Sequence, residues 1–391
     1  MKELQNIIKT FEQCKLTGQR TAIATVVKTS GSVYRRPGAR MLLTEDGQMI
    51  GAISGGCLES NVFERSQPLM FYSSEPLVVQ YDTTSSEDIV WGFGLGCNGV
   101  VNVLIESLFD ASASNQLEFI AECFLQNQSG AMATIFHVKG ETQVKVASRL
   151  FLKQDGAVAT NIKDRELTQK VLQDAQQVLK NGRSRVESYS LVNGCVEVLL
   201  ELIQPPLPLL LFGAGHDAIP VVDCAKQLGW HVTVIDNRPG YTTRDRFPNA
   251  DRIIFCDPEN LEAHLSFNSR MAAVVMTHKY LQDLELLRTL LLSPLQYIGL
   301  LGPKTRRERL LQDLQASEFI PTPNQLHRLY GPVGLDIGAN TPEEIALSIV
   351  TEIQAVVAHR GGSSLRERNR PIHSQHDELL SLVPYQLTAS S

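Results

Sequence analysis

Leu209-Leu-Leu-Phe212 runs directly into Gly213-Ala-Gly215-His-Asp-Ala218. An apolar stretch, two glycines one residue apart and a small residue three further on read as strand, tight turn and helix. A helical stripe follows (Ile219, Val222, Ala225, Leu228), then Gly229 as a stop and the apolar run Trp230–Ile235 ending at Asp236. Strand, glycine turn, helix, strand and acid in that order predict a Rossmann βαβ unit. Gly213 makes the turn, Gly215 admits phosphates, Ala218 packs helix on strand, and Asp236 can bind a ribose. Gly213, Gly215, His216 and Asp236 are therefore the candidates for holding a nucleotide or NAD. The alternative is the same fold with no nucleotide.

The alternation continues downstream. Arg252–Cys256, Ala272–Met276 and Tyr297–Leu301 read as further strands, with helices over Leu281–Leu292 and Lys304–Leu314. Ligands in such sheets sit at the carboxyl ends of the strands, which singles out Cys256, Thr277, His278, Gly302 and Lys304. Thr341-Pro-Glu-Glu344 is a capping box with proline at the first helical position, opening a helix to about His359. From Arg360 the chain is polar and irregular.

Upstream, Gln204-Pro-Pro-Leu-Pro208 is a stiff break. Before it, residues 4–108 and 117–203 read as two copies of one unit. Leu4, Ile7, Ile8 and Phe11 form a helical stripe, as do Leu117, Ile120, Ala121 and Phe124. The strand Thr21–Val27 matches Gly130–Phe136. Met41–Gly47 matches Leu150–Gly156, each ending in an Asp-Gly hairpin turn. Val79–Tyr81 then matches Glu187–Tyr189, and Asn98–Glu106 matches Asn193–Glu201. The domain plan is residues 1–203 in two halves, a linker at 204–208, a Rossmann-like domain at 209–360 and a polar tail at 361–391. The fold class is α/β: an N-terminal α+β region with an internal duplication, then a doubly wound parallel sheet.

The copies differ where chemistry is expected. The first has Ser54-Gly-Gly-Cys-Leu-Glu59 where the second reads Lys163-Asp-Arg-Glu-Leu-Thr168, and the second lacks the residues corresponding to Asp82–Gly96, including Trp91-Gly-Phe-Gly-Leu-Gly96. The paired glycines Gly55 and Gly56 allow a sharp turn and close backbone approach to a ligand. Such a turn is expected to put Cys57 in the first turn of a helix, where free N–H groups and the helix dipole favour a thiolate and attract anions. Glu59 is then within reach as an acid, base or ligand, and Ser54 lines the turn. The plainer reading is a small buried cysteine in a tight turn. Between strands, Lys28–Arg40 combines glycines and hydroxyls with Arg35, Arg36 and Arg40, a set suited to a phosphate or other oxyanion. An ordinary solvated loop would look similar. Cys195, Cys14, Cys123 and Cys224 fall on apolar stripes and read as core.

Across 391 residues the formal charge is −6 and the pI about 5.9, which argues against a general nucleic-acid binder. No apolar run is long enough for a bilayer, and no signal peptide is expected. Seven cysteines without a C-x-x-C spacing suggest a reducing compartment, by default the cytoplasm.

Taken together, Ser54–Glu59, Gly94-Leu-Gly-Cys97, Thr29–Met41, Phe212-Gly-Ala-Gly-His216 and Val333-Gly-Leu-Asp-Ile-Gly-Ala339 followed by Thr341-Pro-Glu-Glu344 resemble the XdhC/CoxI family of xanthine dehydrogenase accessory factors. The resemblance spans residues 1 to about 362. It implies a chaperone-like maturation factor for molybdenum hydroxylases, more a cofactor carrier than an enzyme. Such factors bind the molybdenum cofactor (molybdopterin), protect it while a cysteine desulfurase supplies a sulfido ligand, and deliver it to the apo-enzyme; homodimers are typical. On that reading Cys57 contacts molybdenum or its sulfur with Cys97 as second thiol, and Glu59 orients or protonates. The phosphate end suits Arg35, Arg36 and Arg40 or the Gly213–Gly215 turn.

The main rival reading is an NAD(P)-dependent oxidoreductase with Asp236 on the ribose and His278 or Lys304 in acid–base roles. Hydride chemistry has no need of the two glycine-flanked cysteines. A third reading is an interaction scaffold whose Rossmann domain only senses a nucleotide.

Overall fold

A computed structural model describes residues 1–72, 75–82, 99–109 and 111–369. Two compact units divide between Pro206 and Leu207.

The first unit holds two sheets of identical plan. Its first half runs α1 (Lys2–Thr17), β1 (Thr21–Gly31), β2 (Arg40–Thr44), β3 (Met49–Gly51), α2 (Glu59–Phe71), β4 (Leu77–Asp82) and β5 (Gly99–Ser107). The second half runs α3 (Ala111–Gln126), β6 (Gly130–Gly140), β7 (Arg149–Lys153), β8 (Val158–Thr160), α4 (Arg165–Asn181), β9 (Arg185–Leu191) and β10 (Gly194–Ile203). The antiparallel sheets are ordered β3-β2-β1-β5-β4 and β8-β7-β6-β10-β9, so the duplication read from the sequence is a duplication of fold. Even an irregularity repeats. Val27 of β1 and Phe136 of β6 are the extra residues where each strand slips in register against its neighbour.

Alternation along the central strands explains the layers. Ala22, Ala24 and Val26 pack with Leu58, Val62 and Leu69 beneath α2, while Ala131, Ala133 and Ile135 pack with Leu167, Val171 and Val178 beneath α4. The opposite faces meet each other: Ile23 and Leu42 join Met132 and Ile203, and Val27 and Leu104 join Phe136 and Leu199. The two sheets are therefore back to back, with α2 and α4 on the outside. A charge buried between two sheets is costly without a partner, which makes the charged residues between the sheets informative.

Those residues are two arginine–glutamate pairs exchanged between the halves. Arg40 of β2 donates to both carboxylate oxygens of Glu201 on β10, at 2.9 and 2.7 Å. Arg149 of β7 pairs with Glu106 on β5 in the reciprocal sense. Each guanidinium also donates to a carbonyl two residues back, Gly38 and Ala147 respectively. All four side chains are almost fully buried. This reciprocity is the mark of an isologous, two-fold contact.

The second unit contains β11 (Pro208–Phe212), α5 (Ala218–Gln227), β12 (His231–Asp236), β13 (Arg252–Phe255), α6 (Leu261–His264), β14 (Ala272–Val275), α7 (Tyr280–Leu292), β15 (Tyr297–Leu300), α8 (Lys304–Ala316), α9 (Pro323–His327), β16 (Leu329–Tyr330) and α10 (Pro342–Val357). Six parallel strands in the order β13-β12-β11-β14-β15-β16 form the doubly wound sheet. One face packs on α5 and α10, the other on α7 and α8. The two-residue strand β16 has no apolar run to announce it; it pairs only because Ile298 and Gly299 of β15 present an open edge. The capping box at Thr341 forms as its sequence predicts.

Gly213 sits where β11 passes β14, with φ at +116°. A Cβ there would lie 2.4 Å from the Met276 carbonyl oxygen. Gly213→Ala should therefore lower stability by about 2 kcal/mol or more, because backbone cannot move aside and the angle is strained for an L-residue. Thermal unfolding of the full chain measures it.

Candidate functional site

The glycine turn after β3 is organised by two side chains. Glu59 Oε1 accepts from the N–H groups of Ile53 and Ser54 at 3.3 and 2.8 Å, and Oε2 accepts from Leu58 N–H at 3.1 Å and from the Ser54 hydroxyl. The same hydroxyl oxygen accepts from the N–H groups of Gly56, Cys57 and Leu58, at 3.2, 3.1 and 3.2 Å. The Cys57 thiol donates to it as well, at 3.2 Å. Gly56, at φ +111°, lets the chain reverse around this hub.

Two expectations are corrected by this geometry. The helix begins at Glu59, so Cys57 precedes its first turn. The N–H groups expected to attract an anion are turned inward onto Ser54. Glu59 is likewise neither free acid nor free ligand. Burial pushes its pKa up, but hydrogen bonds from the Ser54 hydroxyl and from the backbone of Ser54, Glu59 and Leu58 outweigh burial and hold it below the usual value. It is a fixed carboxylate that shapes the loop. What the loop leaves accessible is the half-buried Cys57 and the exposed Gly55 and Gly56.

The arginine-rich loop lies alongside, since the Tyr34 ring packs at 3.8 Å from where a Gly55 Cβ would be. Its arginines do not converge. Arg40 is buried against Glu201, Arg35 pairs with Glu3 of α1, and Arg36 is exposed. A three-arginine cradle is therefore not formed, because two of the three serve internal ion pairs. Cys97 and Gly94–Gly96 lie outside the described residues. Among the described residues no group of three or more histidine, cysteine or acidic side chains could hold a metal ion. Of the other cysteines, Cys14, Cys123 and Cys256 are buried, and Cys195 and Cys224 half-buried; burial pushes the Cys123 thiol up to about 11.

At the Rossmann turn the strand ends bring together several of the expected residues, in unexpected pairings. Asp236 is buried, and its oxygens accept from Ala214 N–H at 2.7 Å, from Arg238 N–H at 2.8 Å and from the Arg238 guanidinium. Burial alone would raise its pKa; the Arg238 side chain and the two N–H groups lower it instead. Arg238 in turn lies over the Tyr241 ring at 4.1 Å, with Arg246 on the same ring at 4.9 Å. The oxygens expected to take a ribose diol are thus already engaged.

Beside Gly215, His278 Nε2 donates to Asp217 Oδ2 at 2.7 Å. Thr277 donates at 2.6 Å to the buried Asp283, whose other oxygen accepts from Arg306 at 2.6 Å. Gly302, at φ +132°, packs on the Arg306 side chain. Lys304 is exposed and lies 3.9 Å from Glu308 of its own helix, and His216 is exposed on the turn. Asp217, Arg238, Asp283 and Arg306 belong to these clusters, and no sequence pattern singles out the last three. The one local signal is Asp217, a carboxylate inside a phosphate-type turn.

A duplicated antiparallel unit bearing a thiol loop, followed by a Rossmann unit, defines a two-unit protein of the dinucleotide-fold class. The chain belongs to the XdhC and CoxI family. The family's sequence model matches residues 14–82 and 123–190, one segment in each half, and the XdhC Rossmann domain matches residues 209–353. The chain is 35% identical to a Bacillus subtilis protein named as a probable xanthine dehydrogenase subunit, over 86% of this chain and 92% of that protein. It is 24% identical to the uncharacterized protein YqeB of Escherichia coli over 63% of this chain, spanning 47% of that protein's length. It also resembles the crystal structure of a xanthine dehydrogenase from Bacillus halodurans, with a TM-score of 0.73 and 31% identity, covering 92% of this chain and 98% of that one. No helix among the described residues is long and apolar enough to cross a membrane.

Proposed function

We propose that the chain is an accessory factor for a molybdenum hydroxylase of the xanthine dehydrogenase type. It binds the molybdenum cofactor, supports its sulfuration and delivers it to the apo-enzyme. The observation that carries this reading is the loop at Ser54–Glu59 in a chain of this family: Ser54 and Glu59 are spent on shaping the turn, and the turn leaves one thiol accessible. The donors suit the cofactor in kind. A thiol is a soft ligand for molybdenum or sulfur, and a guanidinium is the kind of group that pairs with a terminal phosphate. Bound there, the cofactor would supply a molybdenum centre able to carry a terminal sulfido ligand. The chain's own part is to present Cys57 at a fixed place, with Ser54 orienting the thiol, and to keep Glu59 ionised so that the loop holds. The role calls for the apo-enzyme and a cysteine desulfurase as partners, with a second copy of the chain, in the cytoplasm.

Anaerobic purification after co-expression with the cofactor pathway tests it through bound molybdenum and released pterin. Wild type should retain both and Cys57→Ala should lose at least ~90% of the molybdenum, the scale of loss expected when the support of a bound metal is removed. Equal retention by the two proteins would remove Cys57 from the site. Absence of molybdenum and pterin from both would remove the carrier role. An NAD(P)-dependent oxidoreductase is less well supported, because Asp236 is engaged by Ala214 and Arg238.

A further inference from the structure

In a Rossmann turn the second glycine is bare so that a diphosphate can approach the backbone. Here that approach is filled. A Cβ on Gly215 would lie 2.3 Å from Asp217 Oδ1, so the carboxylate rests on the face of the glycine that a diphosphate would use. Asp217 occupies the N-cap position of α5 yet makes no side-chain capping bond. Its other oxygen is instead held by His278 at 2.7 Å, from the loop after β14 across the point where the strand order reverses. His278 itself sits at φ +60°, a left-handed conformation uncommon for a non-glycine residue. Like charges placed this close in a partly desolvated turn repel strongly.

We infer that Asp217 is the specificity-determining residue of the Rossmann unit: it excludes dinucleotide diphosphates from the Gly213–Gly215 turn, and His278 is the positioning residue that holds it in place. The inference does not rest on the cofactor-carrier role proposed for Cys57, which lies in the other unit; it leaves the arginine loop, and not the Gly213–Gly215 turn, as the place for a cofactor's diphosphate. It separates the fold from the activity the fold would suggest. The turn keeps the backbone of a dinucleotide site, with Gly213 closed against Met276 and helix α5 following, but carries a negative charge where that site needs none.

The test is calorimetric titration of the full-length protein with NAD+ and with NADP+, comparing wild type, Asp217→Ala and Asp217→Asn. Removing the charge should tighten binding of at least one dinucleotide by ~10-fold or more, the scale expected for relieving a like-charge contact. His278→Ala, which frees Asp217 to swing aside, should tighten it by a smaller factor. Circular dichroism confirms that each variant is folded, and Asp217→Asn, which nearly preserves the volume, serves if the alanine variant is not. Variants that bind no better than wild type, whether all bind tightly or none binds, overturn the inference.

Discussion

Arg40→Ala is expected to destabilise the first unit by about 3–5 kcal/mol, the loss found when one partner of a buried ion pair is removed. The physical reason lies in what remains. Glu201 would be left almost fully buried between two sheets, with two acceptor oxygens emptied and no water to replace the guanidinium. Gly38 would also lose a donor to its carbonyl. Glu201→Ala should be as damaging by the converse argument. The double variant Arg40→Met/Glu201→Leu should recover most of the loss, since an apolar pair of similar volume avoids desolvating either charge. The same three measurements at Arg149 and Glu106 should give the same ordering, because the two pairs are related by the duplication. Urea unfolding of the full chain measures each, and the idea is sunk if the double variant is no more stable than the singles.

Glu59→Ala should remove the thiol loop's shape and with it most of the molybdenum retention proposed for Cys57. Four donors lose their acceptor at once: three backbone N–H groups and the Ser54 hydroxyl. Ser54 then has no fixed orientation from which to receive Gly56, Cys57 and Leu58. Glu59→Gln keeps one carbonyl oxygen and should fall between the two. A pH dependence accompanies this. Hydrogen bonds to the ionised form hold the folded-state pKa of Glu59 below its unfolded value. Its contribution to stability is therefore complete at neutral pH and is lost as pH falls through the acidic range, when the unfolded chain takes up the proton first. The wild type should accordingly lose stability more steeply on acidification than Glu59→Gln, which has no carboxyl to titrate at this place. Urea unfolding of both proteins across the acidic range measures the two slopes. Parallel slopes would show that Glu59 does not couple to the fold in this way.

Much of this architecture is legible in the order of residues. The strand–glycine–helix–strand–acid run at Leu209–Asp236 announces the parallel sheet because its signals are local: apolar length, glycine at a positive-φ turn, and a helical stripe. The repeat is readable for the same reason, since five short blocks recur in one order. Helix α10 follows from Thr341 and Glu344, which cap each other three residues apart. Strand β16 is not legible, because two residues form a strand only when a neighbouring edge supplies the pairing.

The functional residues divide along the same line. Sequence alone determined that Cys57 stands in a glycine turn close to Glu59, that Gly213 must be glycine, and that arginines crowd the loop before β2. It did not determine what each charge faces. Arg40, a candidate anion ligand by its loop, is half of a buried pair because Glu201, at the far end of the second half, is carried onto it when the sheets stack. Asp236 takes Arg238 from two residues along its own chain, but Ala214 reaches Asp236, and His278 reaches Asp217, across strand ends that only the parallel sheet brings together. Turns and periodicities are decided by bonds among near neighbours, whereas the partner of a buried charge is decided by which distant segment excludes its water.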